Sequence, residues 1–263
     1  MSEWFEAIIL GLIQGLTEFI PISSSGHLVI AQTFLSGASE HLFLEFINIG
    51  TMLALLVFFR KKIWKIIIDV TKNKNYRLAR NIVITAVPAG LIGFMLSDFI
   101  GSSWFFASAV VVVFTLAIVG IIMVVLEKLP KLSPVKDGEK LPWQRALIIG
   151  LAQVLALIPG TSRSGSTIIA GRLMGLSAAE AAEYSFLASL PIMIGVTLKV
   201  LLTDSEYLIA NLDILLISNL AAFLSGLWAV GFLLRYLSKH SLAVFGWYRI
   251  VLALVLATIL LVQ

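Results

Sequence analysis

Two polar clusters interrupt an otherwise oily chain, and both carry residue types that handle anionic groups. In the first, an amide, a carboxylate, three serines and an imidazole follow one another as Gln14, Glu18, Ser23, Ser24, Ser25 and His27. In the second, Ile158-Pro159-Gly160-Thr161-Ser162-Arg163-Ser164-Gly165-Ser166-Thr167, an arginine stands among hydroxyls and glycines. A guanidinium at membrane depth costs about 2.5 kcal/mol or more, so it is rarely retained there without a role. Gln14 and Glu18 are four apart and share one helical face. Pro21 ends that helix, and Ser23-Ser24-Ser25-Gly26-His27 turns into the next. A helix start offers unpaired N–H groups and the positive end of the dipole, a ready anion site. The second cluster repeats this at Ser164-Gly165-Ser166, and Arg163 adds a planar fork suited to phosphate oxygens. That inventory suits a phosphate ester or anhydride better than a neutral solute.

Plainer roles compete with this one. A serine in a membrane helix commonly bonds back to its own helix, and glycines commonly serve close helix packing. Glu18 and Arg163 are also readable as a buried ion pair that fixes the fold. An ion pair alone, however, does not require flanking loops of hydroxyls and glycines. His41 and His240 fall near helix ends and are read as structural, as are Glu180 and Glu183.

The elements that must position these groups are membrane helices. The chain is 59% hydrophobic and 13% charged, with mean hydropathy +1.01, against roughly 45–50% and 25% in soluble domains. Several apolar runs approach the roughly 20 residues a span needs, and no alternating pattern suggests a transmembrane barrel. Cysteine is absent, which excludes disulfides, thiol catalysis and thiolate metal sites. The start is acidic, unlike a cleaved signal peptide. The net charge of +4 sits in loops between apolar segments, which reads as lipid contact and topology control, not nucleic-acid binding.

Full-length spans are expected at 42–60, 80–97, 104–126, 183–202, 213–235 and 245–262. The segments 4–20 and 146–158 are each followed by a proline-glycine break and a short helix, 24–35 or 165–175, too short to cross about 30 Å of hydrocarbon. Helix, polar loop and short helix is the pattern of a re-entrant hairpin. Gly11-Leu12-Ile13-Gln14 recurs as Gly150-Leu151-Ala152-Gln153, and Ser25-Gly26 as Ser164-Gly165, all 139 residues on. At 138, Gly37 matches Gly175, Ser39 matches Ser177, and Glu45-Phe46 matches Glu183-Tyr184. The expectation is therefore one all-α membrane domain of two repeats, 1–130 and 142–263. Each repeat holds one re-entrant hairpin and three transmembrane helices, and three being odd, the repeats insert inverted.

Lysine and arginine number eight in 60–80, five in 127–145 and three in 235–249, and none in 36–41, 97–103 or 203–212. Positive-inside then puts the basic segments in the cytoplasm and both termini outside. Lys199 is the misfit and would snorkel. Residues 60–80 read as a basic interfacial helix, and Ser177-Ala178-Ala179-Glu180 as a capping box.

The two clusters resemble those of the bacterial undecaprenyl-diphosphatase, or bacitracin-resistance, family. Its Glu/Gln-x-x-x-Glu element and Pro-x-Ser-Ser-x-Gly-His turn are matched by Gln14 to Glu18 and by Pro21 to His27. Its Pro-Gly-x-Ser-Arg-Ser-x-x-Thr signature is matched by Pro159 to Thr167. The resemblance implies a multi-pass enzyme of the bacterial inner membrane that takes a polyprenyl diphosphate lipid, undecaprenyl diphosphate, to undecaprenyl phosphate, the recycled carrier of envelope glycans. It implies a divalent cation, Mg or Ca, at Gln14 and Glu18. Gln14 departs from the glutamate alternative and leaves that cation one anionic ligand fewer. By position, Glu18 is a catalytic or metal-site acid, Ser24 and His27 are the nucleophile or its base, and Arg163 clamps phosphate. Ser23, Ser25, Gly26, Gly160, Thr161, Ser162, Ser164, Gly165 and Thr167 complete the substrate site. The expected reaction is attack by Ser24 after its proton passes to His27, with Glu18 orienting His27 or binding metal, at a site open to the outer face; a phosphohistidine at His27 is the competing version. The rival class is a transporter or flippase of an anionic prenyl-phosphate lipid, because carriers also use inverted repeats. Oligomeric state is not legible.

Overall fold

The computed structural model describes residues 3–32, 35, 41–129, 134–135 and 137–262, and every regular element among them is helical. In chain order they are α1 (Glu3–Phe19), α2 (Ser24–Gln32), α3 (His41–Phe46), α4 (Asn48–Phe58), α5 (Arg60–Thr71), α6 (Arg77–Met95), α7 (Ser97–Ser102), α8 (Trp104–Ala107) and α9 (Ala109–Leu126). After them come α10 (Trp143–Val154), α11 (Arg163–Leu173), α12 (Ala178–Thr203), α13 (Ser205–Ala210), α14 (Leu212–Leu237) and α15 (Ala243–Val262). The expected matches of Gly37 and Ser39 lie outside the described residues.

Five helices, α6, α9, α12, α14 and α15, are long and apolar enough to cross a membrane. A sixth crossing needs Leu42–Phe58 joined to α5, with a 69° bend between them. The expected unbroken span at 42–60 is thus corrected. A turn at Ile47 divides it, and the chain swings away at Phe59, because Arg60, Lys61 and Lys62 cannot follow apolar α4 into hydrocarbon. No residue of α5 is buried, as befits a basic interfacial helix. The expected 104–126 span is interrupted at Ser108, whose extended backbone separates α8 from α9.

Large side chains at helical spacing stay uncovered on the outer faces: Val83, Val87 and Leu91 on α6, and Leu216, Leu220 and Leu224 on α14. Such stripes are unsustainable in water over this area but natural against lipid. The protein is a multi-pass membrane protein. Inside, α1 lies along α14, α10 along α6, and α9 along α15. The last crossing is close: a methyl built on Gly120 would stand 2.8 Å from the Gly246 carbonyl, and one on Gly246 2.6 Å from the Gly120 carbonyl. Only glycine permits that approach, and it brings the first two turns of α15 against the two polar turns.

Ser177 and Glu180 form the expected capping box. Glu183 pairs with Lys62 at 3.0 Å, and His240 stacks on Tyr236 at 4.4 Å, so these groups hold structure.

Candidate active site

Each polar cluster folds as helix, turn, short helix, and α1 packs on α2 as α10 packs on α11. The long helices stop short of Pro21 and Pro159, whose rings cannot extend them. The turns match bond for bond at the 139-residue offset. Ser23 has φ 73° and Ser162 φ 72°, positive values that are uncommon outside glycine. The Ser23 hydroxyl accepts from Gly26 N–H at 3.3 Å, as the Ser162 hydroxyl does from Gly165 N–H at 3.1 Å. Ser23 and Ser25 hydroxyls meet at 3.0 Å, and Ser162 and Ser164 hydroxyls at 3.2 Å. Both short helices are therefore serine-capped at the third N–H. Helix geometry leaves the N–H groups of Ser24 and Ser25, and of Arg163 and Ser164, without intrahelical partners.

The turns also touch. Gly160 N–H donates to Ser25 Oγ at 3.1 Å, and Ser164 Oγ to the Glu18 carbonyl at 3.3 Å. At their junction sits the Glu18 carboxylate. Arg163 Nη2 donates to Glu18 Oε1 at 2.7 Å, and both side chains are mostly buried. Ser24 Oγ donates to Glu18 Oε2 at 2.8 Å, and Gln14 Nε2 to the same oxygen at 3.1 Å. Arg163 Nη1 is buried and has no hydrogen-bond partner. An orphaned guanidinium N–H is costly, and a phosphate oxygen would satisfy it.

His27 is engaged elsewhere. Its Nδ1 meets the Ser23 carbonyl at 2.8 Å and its Nε2 meets the Tyr248 hydroxyl at 2.7 Å. A carbonyl only accepts, so Nδ1 carries the proton and Nε2 accepts from the phenol. The expected Ser24-to-His27 hydrogen bond is accordingly replaced by one from Ser24 to Glu18.

Of the remaining expected site residues, Gly26, Gly160 and Gly165 use their N–H groups on serine hydroxyls of the turns. Thr167 is buried, bonding the Arg163 carbonyl at 2.8 Å and Ser185 on α12. Thr161 turns its carbonyl to Arg249 at 3.2 Å. By sequence Arg249 belongs with the loop cations of 235–249, and the structure corrects this. It is wholly buried in α15, bonded to the Pro21 carbonyl at 3.3 Å and the Gly160 carbonyl at 2.6 Å. Sequence reasoning also missed Tyr248, Thr115, which bonds the Pro159 carbonyl at 2.6 Å, and Asn48, which takes Gln14 Nε2 at 2.6 Å. The one available signal was a cation four residues inside the apolar run 245–262.

The donor set fits a resident cation poorly. Among the described residues no three of His, Asp and Glu gather as ligands. Both oxygens of Glu18 are engaged, and Gln14 points its amide nitrogen at Glu18 and Asn48. Mg or Ca wants six or more oxygens, usually with charge from more than one anionic group.

Over nearly its whole length the chain is similar to curated proteins. It is 40% identical to undecaprenyl-diphosphatase 1 of Clostridioides difficile, covering 97% of this chain and 95% of that one. It is 39% identical to undecaprenyl-diphosphatase 1 of Mesorhizobium japonicum, covering 95% and 94%. It is 38% identical to the undecaprenyl-diphosphatase of Rubrobacter xylanophilus, covering 99% and 100%. The family described as bacitracin resistance protein BacA matches residues 7–255, a stretch that takes in both serine turns, Glu18, Arg163 and Arg249. The chain belongs to that family.

Proposed function

We propose that this protein is an undecaprenyl-diphosphatase, releasing phosphate from undecaprenyl diphosphate and returning undecaprenyl phosphate to envelope glycan synthesis. One observation carries the reading: a single carboxylate, Glu18, holds a serine hydroxyl on one oxygen and an arginine on the other, and that arginine keeps a buried N–H unfilled. Ser24 is the nucleophile and Glu18 its base. The Ser24 oxygen bonds to the terminal phosphorus as its proton passes to Glu18 Oε2, and undecaprenyl phosphate leaves with the bridging oxygen. Water then displaces phosphate from Ser24, which recovers a proton from Glu18. Arg163 and the N–H groups at the two helix starts hold the phosphoryl oxygens through both steps, the main task in such transfers. His27, held by Ser23 and Tyr248, accepts the proton of the attacking water once its phenol is displaced.

A divalent cation would enter as a companion of the diphosphate, offsetting its charge. The site lies within the inner membrane and opens to the outer face, both termini lying outside. Residues 1–130 and 142–263 form inverted repeats, each with one re-entrant hairpin. The packing supports this: exchanging the halves turns α1 on α14 into α10 on α6, and α4 on α14 into α12 on α6, while α9 meets its own counterpart α15.

The test is phosphate release from a prenyl diphosphate by detergent-purified protein, followed by mapping of any trapped phosphoryl adduct. Release that Arg163→Ala abolishes, with the adduct on Ser24, supports the reading. Return of the diphosphate intact makes the protein a carrier, and an adduct on His27 rejects the serine route.

A further inference from the structure

Among the described residues Arg249 is the largest wholly buried side chain, and no carboxylate pairs with it. A buried cation without a counter-ion costs several kcal/mol, and an apolar residue of like volume in its place is often neutral or stabilising. Its retention therefore points to what the guanidinium holds. It donates to three carbonyls in two turns: Pro21 at 3.3 Å, Gly160 at 2.6 Å and Thr161 at 3.2 Å. Pro21 and Gly160 stand 139 residues apart, the same offset that relates Ser23 to Ser162 and Ser24 to Arg163. One arginine thus grips equivalent carbonyls of both turns. Its counterpart helix α9 carries no lysine or arginine, so no cation there duplicates the grip.

The consequence lies in the next residues along. Ser23 and Ser162 hold positive φ, a conformation that costs on the order of 1–3 kcal/mol for a non-glycine and persists only where its surroundings over-determine it. The Thr161 carbonyl shares a peptide plane with the Ser162 N–H, and a trans peptide points the two in opposite directions. Holding that carbonyl on Arg249 constrains the peptide plane on which φ of Ser162 turns. In the first turn Arg249 holds the Pro21 carbonyl, one peptide earlier, and so fixes the Pro21–Ile22 plane ahead of Ser23. Ser24 and Arg163 follow these serines directly and converge on one carboxylate. Only a planar fork spans carbonyls from separate loops; an ammonium has the charge without the reach.

We infer that Arg249 is a positioning residue for the phosphoryl transfer. From beneath, it locks the two serine turns in register, so that Ser24 and Arg163 address the same phosphorus. This rests on the function proposed above. Arg249 is buried and touches no substrate, so its effect falls on kcat.

The experiment measures kcat and KM for phosphate release from farnesyl diphosphate by wild type, Arg249→Lys and Arg249→Met, each normalised to the folded peak in size exclusion. Both variants are expected to run as folded protein with kcat down about 100-fold, the scale of a misplacement near 1 Å, and KM within about threefold. Either variant folding with wild-type kcat overturns the inference. Absence of a folded peak for both also overturns it, since Arg249 is then a folding residue only. An active wild type beside an active variant sinks the clamp alone, whereas an inactive wild type sinks the reaction and the clamp's role in it together.

Discussion

Glu18 joins the two hairpins and also holds Ser24, the proposed nucleophile, so substitutions around it separate these roles. Ser24→Ala removes the attacking oxygen and leaves the Glu18–Arg163 pair intact. We expect turnover to fall at least about 10³-fold, as when a nucleophile is deleted elsewhere, with an unchanged thermal melt; near-normal turnover would exclude the serine route. Arg163→Ala differs, because it strands a mostly buried carboxylate. Both activity and stability should fall, the latter by about 3–5 kcal/mol if the pair behaves as a buried one. Gln14→Glu tests the metal question. It sets a second carboxylate beside Glu18 Oε2, which Gln14 Nε2 now bonds at 3.1 Å. Mutual repulsion then favours a bridging cation. Titration of Mg in the phosphate-release assay should show tighter half-saturation for the variant than for wild type. Equal values would mean that the cation is held by the diphosphate alone.

Among the elements, the two hairpins share a scaffold and divide the chemistry. Where the first has Glu18, Ser24 and His27, the second has Leu157, Arg163 and Ser166 at the 139-residue offset. In the proposed reaction one half supplies the base and nucleophile and the other the phosphate clamp. The turn of the second half is pressed between α9 and α15. Gly160 has φ 81°, and a methyl there would run into Thr115 Oγ1 and approach the Val112 carbonyl to 2.8 Å. Gly160→Ala should therefore abolish activity and lower the unfolding midpoint. A milder probe is Thr115→Val, which strips the Pro159 carbonyl of its 2.6 Å donor. Its expected cost is about 1–3 kcal/mol, read from thermal unfolding in detergent; a wild-type midpoint would show that Thr115 does not anchor the turn.

For the whole molecule, the proposed orientation makes a topological prediction that this cysteine-free chain is suited to test. Single cysteines at Asn73, beyond the basic helix, and at Ser102, between α6 and α9, should respond oppositely to an impermeant thiol reagent added outside intact cells. Ser102→Cys should label and Asn73→Cys should not; equal labelling would rule out the assigned orientation. Much of this architecture is legible in the chain alone. Mean hydropathy, the two polar interruptions and the 139-residue echo depend on local composition and spacing, and water or lipid acts on each segment according to those alone. Glu18, Ser24 and Arg163 are legible for the same reason, since a charge or a nucleophile in an oily chain is conspicuous. Two spans nonetheless read as unbroken where Ile47 and Ser108 break them, because hydropathy averages over a bend. The Ser24–Glu18 bond is beyond sequence reasoning, and so is Arg249, which looks like a loop cation at the end of an apolar run. Ser24 bonds Glu18, His27 bonds Tyr248 and Arg249 bonds Pro21 and Gly160. Most of these partners lie far apart along the chain. Which donor meets which acceptor is decided by how closely helices such as α9 and α15 cross, and that closeness is a property of the packed whole.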